Sequence, residues 1–282
     1  MKKIFIGVLL AVSLIVSAFP AYAANIQIKV DGVAISSDVS PEIRTNRTMV
    51  PLRVISEILG ANVQWANSVV TLTKGDMKVL LRLNSTNADK NGEKIHLDVK
   101  PYLKHNRVIV PLRFIAEAFQ SDVNYSNFTV TVDTKPLVIE GVQVKALQHE
   151  YHMTMGGAVQ QINGNSYIET IYNIFVKNKV EKVEIPASYS WMINTETSGS
   201  YYKNGQYDFL DQNGKSLARF DVYSLIQFFS DELLEGYPER LIHDFSTDEW
   251  YLFNRTPPIS IDELIHTAAM NGFLKILRST LK

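Results

Sequence analysis

NRTMVPLRVISEILGANVQW (residues 46–65) returns sixty residues later as NRVIVPLRFIAEAFQSDVNY (residues 106–125), and this pair decides the fold of the first half. Extended outward at the same offset, residues 31–73 align with 91–133 without a gap, with 17 of 43 positions identical. So dense a match at one fixed spacing marks a repeated structural unit. Each copy opens on a turn (Asp31-Gly32, Asn91-Gly92) and reaches a proline (Pro41, Pro101). It then passes a polar Asn-Arg corner into an apolar pair followed by Pro51 or Pro111. Proline suits the first turn of a helix, where its missing N–H would have no intrahelical partner. Leu52, Ile55, Ile58 and Leu59 then fall on one helical face, with Leu112, Ile115 and Phe119 on its counterpart. Gly60 suits a left-handed helix stop, a role less natural for Gln120 in the second copy. Alternation through Val63, Trp65, Val70 and Leu72, and through Val123, Tyr125, Val130 and Val132, predicts strands. The expectation is an α+β arrangement, a helix packed on an antiparallel sheet, twice, with Tyr125 as a core aromatic in the place of Trp65.

The VPLR motif at 50–53 and 110–113, the apolar helix carrying Glu57 or Glu117, and the Val63-Gln64-Trp65 strand resemble the copper amine oxidase N-terminal-like (stalk) domain. That domain occurs in exported proteins of Gram-positive bacteria. The resemblance covers about residues 26–134 and implies a small domain in which a twisted antiparallel sheet wraps against helix, with an accessory or spacer role outside the cell. It does not imply oxidase activity, which belongs to a separate catalytic domain with a His-x-His pair, a third His and a self-processed tyrosine inside Asn-Tyr-Asp/Glu. This chain has no His-x-His, and its only Asn-Tyr, Asn124-Tyr125, is followed by Ser126. Arg53 with Glu57, and Arg113 with Glu117, recur at i,i+4 spacing. They read either as a paired surface for an anionic ligand such as cell-wall polymer, or as ion pairs clamping helix to sheet.

The chain starts Met1-Lys2-Lys3, runs uncharged through residues 4–19 and reaches Ala21-Tyr22-Ala23, the parts of a secretory signal peptide over residues 1–23. The apolar run is shorter than the ~20 residues a bilayer span needs, and no later segment is apolar enough to cross a membrane. Without Lys2 and Lys3 the 28 basic residues become 26 against 29 acidic ones, with no basic cluster of the kind that binds nucleic acid. Cysteine is absent, which excludes disulfides, thiol catalysis, Cys-ligated zinc and a lipid-modified Cys anchor. The expected location is extracellular, in association with the cell wall.

Thr134-Lys135-Pro136 marks a boundary, so residues 24–134 form the stalk-like domain and 135–282 a separate, mostly antiparallel-β, α+β domain with a C-terminal helix. Asn163-Gly164 is expected to turn a hairpin between 158–162 and 167–176, and Asn213-Gly214 one between 207–210 and 217–223. A helix is expected over 223–234. The last helix starts at a Ser260/Glu263 capping box. Its apolar stripe runs Ile261, Leu264, Ile265, Ala268, Ile276, Leu277, Leu281, and Lys275, Arg278 and Lys282 complement its far end.

Candidate chemistry in this half is sparse, and neither a catalytic residue nor a cofactor is assigned. His149 and His152, with His243 from elsewhere, could hold copper, yet strand alternation sends His149 and His152 to opposite faces. His243-Asp244 with Ser246 or Ser260 could suggest a hydrolase triad, but no Gly-x-Ser-x-Gly elbow accompanies it. Asp208, Asp211 and Asp221 could be glycosidase carboxylates, or solvent-exposed residues flanking a hairpin turn. Tyr189, Trp191, Tyr201, Tyr202 and Tyr207 form either an aromatic platform for sugar or peptide, or an aromatic β core. The function expected is that of a non-enzymatic envelope protein whose stalk domain is a spacer or docking unit and whose second domain binds a ligand or partner, such as cell-wall polymer or another envelope protein. The alternatives are a wall or polysaccharide hydrolase with its site in 136–282, and a regulator of an exported enzyme.

Overall fold

The computed structural model describes residues 26–153, 156–253 and 260–281. The expected signal peptide and Lys282 lie outside the described residues. Within them, five helices are set among mostly antiparallel strands, an α+β fold. They are α1 (Leu52–Ile58), α2 (Leu112–Ala118), α3 (Asn165–Asn178), α4 (Asp231–Leu234) and α5 (Ile261–Met270).

Strands Arg47–Pro51 and Arg107–Pro111 pair antiparallel with Val50 opposite Val110. Since 110 is the counterpart of 50 at the offset of sixty, a local twofold axis passes between these two valines. Short strands Glu42–Arg44 and Tyr102–Lys104 extend this sheet on either side. Each helix then crosses over the axis: α1 lies on Arg107–Pro111 and α2 on Arg47–Pro51. Cross-copy ion pairs are matched as well, Arg47 to Asp98 and Arg107 to Asp38, both at 2.6 Å. The hairpins that follow share one register, with Trp65 opposite Val70 and Tyr125 opposite Val130. The repeat predicts a helix on an antiparallel sheet, twice; in the fold the two segments also interlock. Pro51 and Pro111 deliver each helix at φ −61° and −63°, so Leu52, Ile55, Leu112 and Ile115 bury into one common core.

Tyr125 does not fill that core. It is 52% exposed and Trp65 46%: each ring shares a face with its cross-strand partner, Val130 or Val70, but stands one residue pair from the hairpin turn, at the rim of the core, where it lines a surface groove. The helix stop is the same in both segments: Gly60 has φ +80° and Gln120 φ +61°. A left-handed non-glycine residue costs roughly 1 kcal/mol, and here Gln120 Oε1 accepts a hydrogen bond from Lys135 Nζ at 2.9 Å. Gln120→Gly is therefore expected to leave stability unchanged or raise it by up to about 1 kcal/mol, read as a rise in the denaturant midpoint at constant m-value.

The second half is built on a nine-stranded sheet. Its order is Lys179–Val183, Glu249–Phe253, Arg240–Asp244, Ser216–Leu225, Tyr201–Leu210, Ala146–Met153, Gly156–Ile162 and Leu274–Ser279, with Tyr189–Ser190 pairing alongside Tyr201–Leu210. Three expectations are corrected. Residues 167–176 are not a strand but part of α3, since Ile168, Ile171 and Phe175 recur at helical spacing and bury together. Asn163-Gly164 is accordingly a helix entry, with Gly164 at φ +94° and its missing Cβ leaving room for the Phe273 ring, which that atom would meet at 2.5 Å. Residues 223–234 hold only the short α4, because Tyr223 and Leu225 end a strand paired on both sides. The last helix stops at Met270, where Asn271 and Gly272 (φ +81°) turn the chain into the edge strand Leu274–Ser279. Ile276 and Leu277, placed on the helical stripe by spacing alone, are thus 61% and 45% exposed.

The halves share a hydrophobic core, an ion pair between Lys74 and Glu169 at 3.6 Å, and hydrogen bonds centred on Asp31. Its carboxylate accepts from the Thr134 backbone N–H and hydroxyl and from the Asn165 backbone N–H at the start of α3.

Candidate functional site

Period-two alternation along Ala146–Met153 turns Leu147, His149 and Tyr151 toward the helices and His152 the other way. The register sets His149 between Tyr207 and Gln160 on the neighbouring strands. Its ring stacks on Tyr207 with centroids 4.4 Å apart and planes 10° from parallel. Gln160 Nε2 lies 2.9 Å from His149 Nδ1, so the amide donates and Nδ1 accepts. The tautomer assigned from that bond carries its proton on Nε2, an edge with no hydrogen-bond partner among the described residues. Gly205 makes room for this edge: a Cβ there would come within 2.9 Å of Nε2. A glycine inside a strand often marks such a close approach.

His149 opens onto a cleft of about 620 Å³ between the sheet and α5. Arg240, Asp262, His266 and Asn204 supply polar groups, and Ile261, Ile265 and Leu274 supply apolar wall. Asn204 Oδ1 is buried without a hydrogen-bond partner among the described residues. Ser260 Oγ accepts from the Glu263 backbone N–H, which fixes the start of α5 and with it Asp262 at the cleft. Burial holds the Tyr207 hydroxyl well above its ordinary range, so the tyrosine remains neutral. Burial, with His149 only 6% exposed, also lowers its pKa from 6.5 to about 4. The sign follows: between pH 6.5 and 4 the unfolded chain binds a proton that the folded chain does not. Stability contributed by neutral His149 is therefore complete above pH 6.5 and lost as pH falls to 4, about 3 kcal/mol in all. Denaturation midpoints should fall across that window, and His149→Gln should flatten the slope.

The other face of the sheet is also polar but closed. Asp221 is fully buried, with Lys203 Nζ at 2.5 Å and a two-pronged contact from Arg219 at 2.9 and 3.0 Å. Lys203 lies 4.6 Å over the Trp191 ring, which also stacks on His152 at 4.2 Å. Asp221 and Asp208 are thus not solvent-exposed turn residues. Asp208 is 9% exposed and accepts from Gln206 and Ser216, because both aspartates point to the polar side of paired central strands. Only Asp211 is in the turn, accepting from the N–H groups of Asn213 and Lys215.

The remaining candidates are dispersed. His243 bonds Asp248 at 2.9 Å and stacks on Trp250, whereas Asp244 pairs with Lys179 at 2.6 Å and Ser260 is a helix cap. His149, His152 and His243 share no site, and the described residues contain no group of three potential metal ligands. The aromatic residues do not form one platform. Tyr201 is buried, its hydroxyl donating to the Pro238 carbonyl at 2.8 Å, Tyr202 is half-buried, and Tyr189 stands edge-on to Trp250. Sequence reasoning missed Gln160, Asn204, Gly205, Arg240, Asp262 and His266; only the mid-strand glycine carried a local signal.

In the first half, Arg53 lies 3.9 Å from Glu57 at an exposed site, and Arg113 has no ion-pair partner among the described residues. Each follows Pro-Leu at the entry of its helix, α1 or α2, and the same two segments carry the exposed rings Trp65 and Tyr125. One family model matches this segment. Residues 29–134 are similar to the copper amine oxidase N-terminal domain. No curated protein and no solved structure matches the chain. The match ends where the Asp31–Thr134–Asn165 bonds join the copper amine oxidase N-terminal domain to the second half.

Proposed function

We propose that this is an exported cell-envelope protein in which the copper amine oxidase N-terminal domain, built from two copies of one unit, is a docking and spacer element. The domain at 135–282 binds a small ligand in the cleft at His149 and performs no reaction on it. The observation that carries this reading is a single fixed imidazole, neutral at pH 7 and unpaired at Nε2 among the described residues, in a cleft that also gathers Arg240, Asp262 and His266. A hydrogen bond from this N–H to a ligand acceptor is worth about 0.5–1.5 kcal/mol net. Mixed polar and apolar walls suit an amphipathic molecule with an acceptor group, such as a short peptide or an acylated sugar.

A thermal-shift screen of di- and tripeptides and acylated amino sugars tests this. Compounds that raise the melting temperature of the wild type should lose their effect in His149→Leu and Arg240→Ala. Hits whose shifts survive both changes, or the absence of any hit, would speak against the cleft as the binding site. Turnover of a hit would replace the binding reading with a catalytic one.

A further inference from the structure

Two grooves on the copper amine oxidase N-terminal domain are copies of one another. The first has a volume of about 610 Å³ and is lined by Arg53 and Trp65 from one segment and by Leu103 and Asn106 from the other. The second, about 360 Å³, is lined by Arg113 and Tyr125 with Ile43 and Asn46. Every member of the second set stands sixty positions from its counterpart in the first, with the segments exchanged. The local twofold axis at Val50 and Val110 explains the exchange. Each groove therefore draws one wall from its own helix and hairpin and the other from the turn of the opposite segment.

What lines them is unusual for free surface. Trp65, Tyr125, Leu103 and Ile43 are 46%, 52%, 57% and 53% exposed. Each groove thus presents a pair of large exposed apolar side chains at equivalent positions, Trp65 with Leu103 and Tyr125 with Ile43, an arrangement of the kind that marks interaction sites. The turn-tip asparagines Asn46 and Asn106 are held at φ +58° and +59°. Arg47 and Arg107 are committed to Asp98 and Asp38 across the axis, so they brace the walls. Arg113 has no ion-pair partner among the described residues, and Arg53 makes only a loose i,i+4 contact of 3.9 Å with Glu57, which lines the same groove and leaves the outer edge of the guanidinium open.

We propose that these twin grooves bind an acidic polysaccharide, one stretch of chain in each. A flat ring accepts the apolar face of a sugar, the guanidinium fork matches a carboxylate, and the asparagine amide serves hydroxyls. The repetition favours a polymer: a chain of like units offers the same face twice, while a protein partner would need a matching repeat of its own. Two weak sites on one polymer gain affinity through effective concentration. This inference names the ligand class for the docking role proposed above and rests on that reading; it makes no use of the His149 cleft.

Affinity electrophoresis of the full chain tests it, in gels cast with polygalacturonate, alginate or hyaluronan and in a neutral dextran gel. Retardation is expected in at least one acidic gel and not in dextran. Trp65→Ala, Tyr125→Ala and Arg113→Ala should each weaken it about tenfold, and the double variant Trp65→Ala/Tyr125→Ala should abolish it. Because these side chains are exposed, unchanged melting temperatures should accompany the losses. No retardation in any acidic gel, or a double variant that migrates like the wild type, overturns the proposal. So does sedimentation showing that the rings instead close a dimer that the double variant loses. Purified bacterial cell wall separates this inference from the docking reading. Retention of both wild type and double variant would leave docking standing and overturn the groove assignment, and retention of neither would remove docking itself.

Discussion

Asp221→Ala is expected to destabilise the chain by about 3–5 kcal/mol, enough to unfold much of a marginal population at 37 °C. The carboxylate lies with no exposed surface between Lys203 at 2.5 Å and Arg219 at 2.9 Å. Lys203 is 7% exposed and covered by the Trp191 ring, so on losing Asp221 its ammonium keeps its desolvation cost without its counter-charge. Arg219 suffers less, since its guanidinium also lies 4.0 Å from the Phe245 ring and is partly open to water. The size of the loss measures an uncompensated charge and not the worth of the pair. Lys203→Met/Asp221→Leu, which removes both charges, should recover most of it. Denaturant melts of the wild type, the single and the double variant give the comparison directly. A double variant as unstable as the single one would mean that the network, not the lone charge, holds this face of the sheet.

Phe175→Ala is the second large effect, again about 3–5 kcal/mol. The ring is fully buried on α3 and stacks on Phe220 at 4.9 Å, with Tyr207 at 4.8 Å and Phe209 edge-on at 6.5 Å. Removing it opens a cavity that three rings on two strands cannot close without leaving their rotamers. Tyr207 is the ring on which His149 stacks, so the change reaches the cleft as well. Phe175→Leu, which refills part of the volume, should cost markedly less. If Phe175→Ala lowered stability but left binding of a cleft ligand unchanged in the folded fraction, the link from core packing to imidazole position would be lost.

The fold of the first half was legible because a repeat reports itself. Two VPLR segments located both helices and both hairpins, and even Gln120, which lacks glycine's freedom, takes the left-handed turn that its counterpart Gly60 requires. Spacing along the chain could not show that the segments interlock across Val50 and Val110, which depends on strand pairing between residues sixty apart. It also misplaced Tyr125, because alternation puts the ring on the face of Val130 and does not tell that this end of the hairpin lies at the rim of the core. In the second half, Asn163-Gly164 suited a hairpin and a helix entry equally, and the helical spacing of Ile168, Ile171 and Phe175 decided between them. The stripe past Asn271-Gly272 failed for the converse reason: a left-handed glycine ended the helix while the apolar pattern ran on. The candidate cleft was the least legible feature. His149 stood out as a histidine, but Gln160, Arg240 and Asp262 become its neighbours only through sheet register and the placement of α5.

The proposed binding role rests on one imidazole held neutral by its surroundings and free on one edge. Nitrogen-detected NMR of the six histidine side chains across pH 3.5 to 8, assigned by His149→Gln, measures this most directly. The account predicts that His149 is the Nε2–H tautomer at neutral pH and titrates near pH 4. A His149 that titrates near 6.5, or that carries its proton on Nδ1, would contradict it.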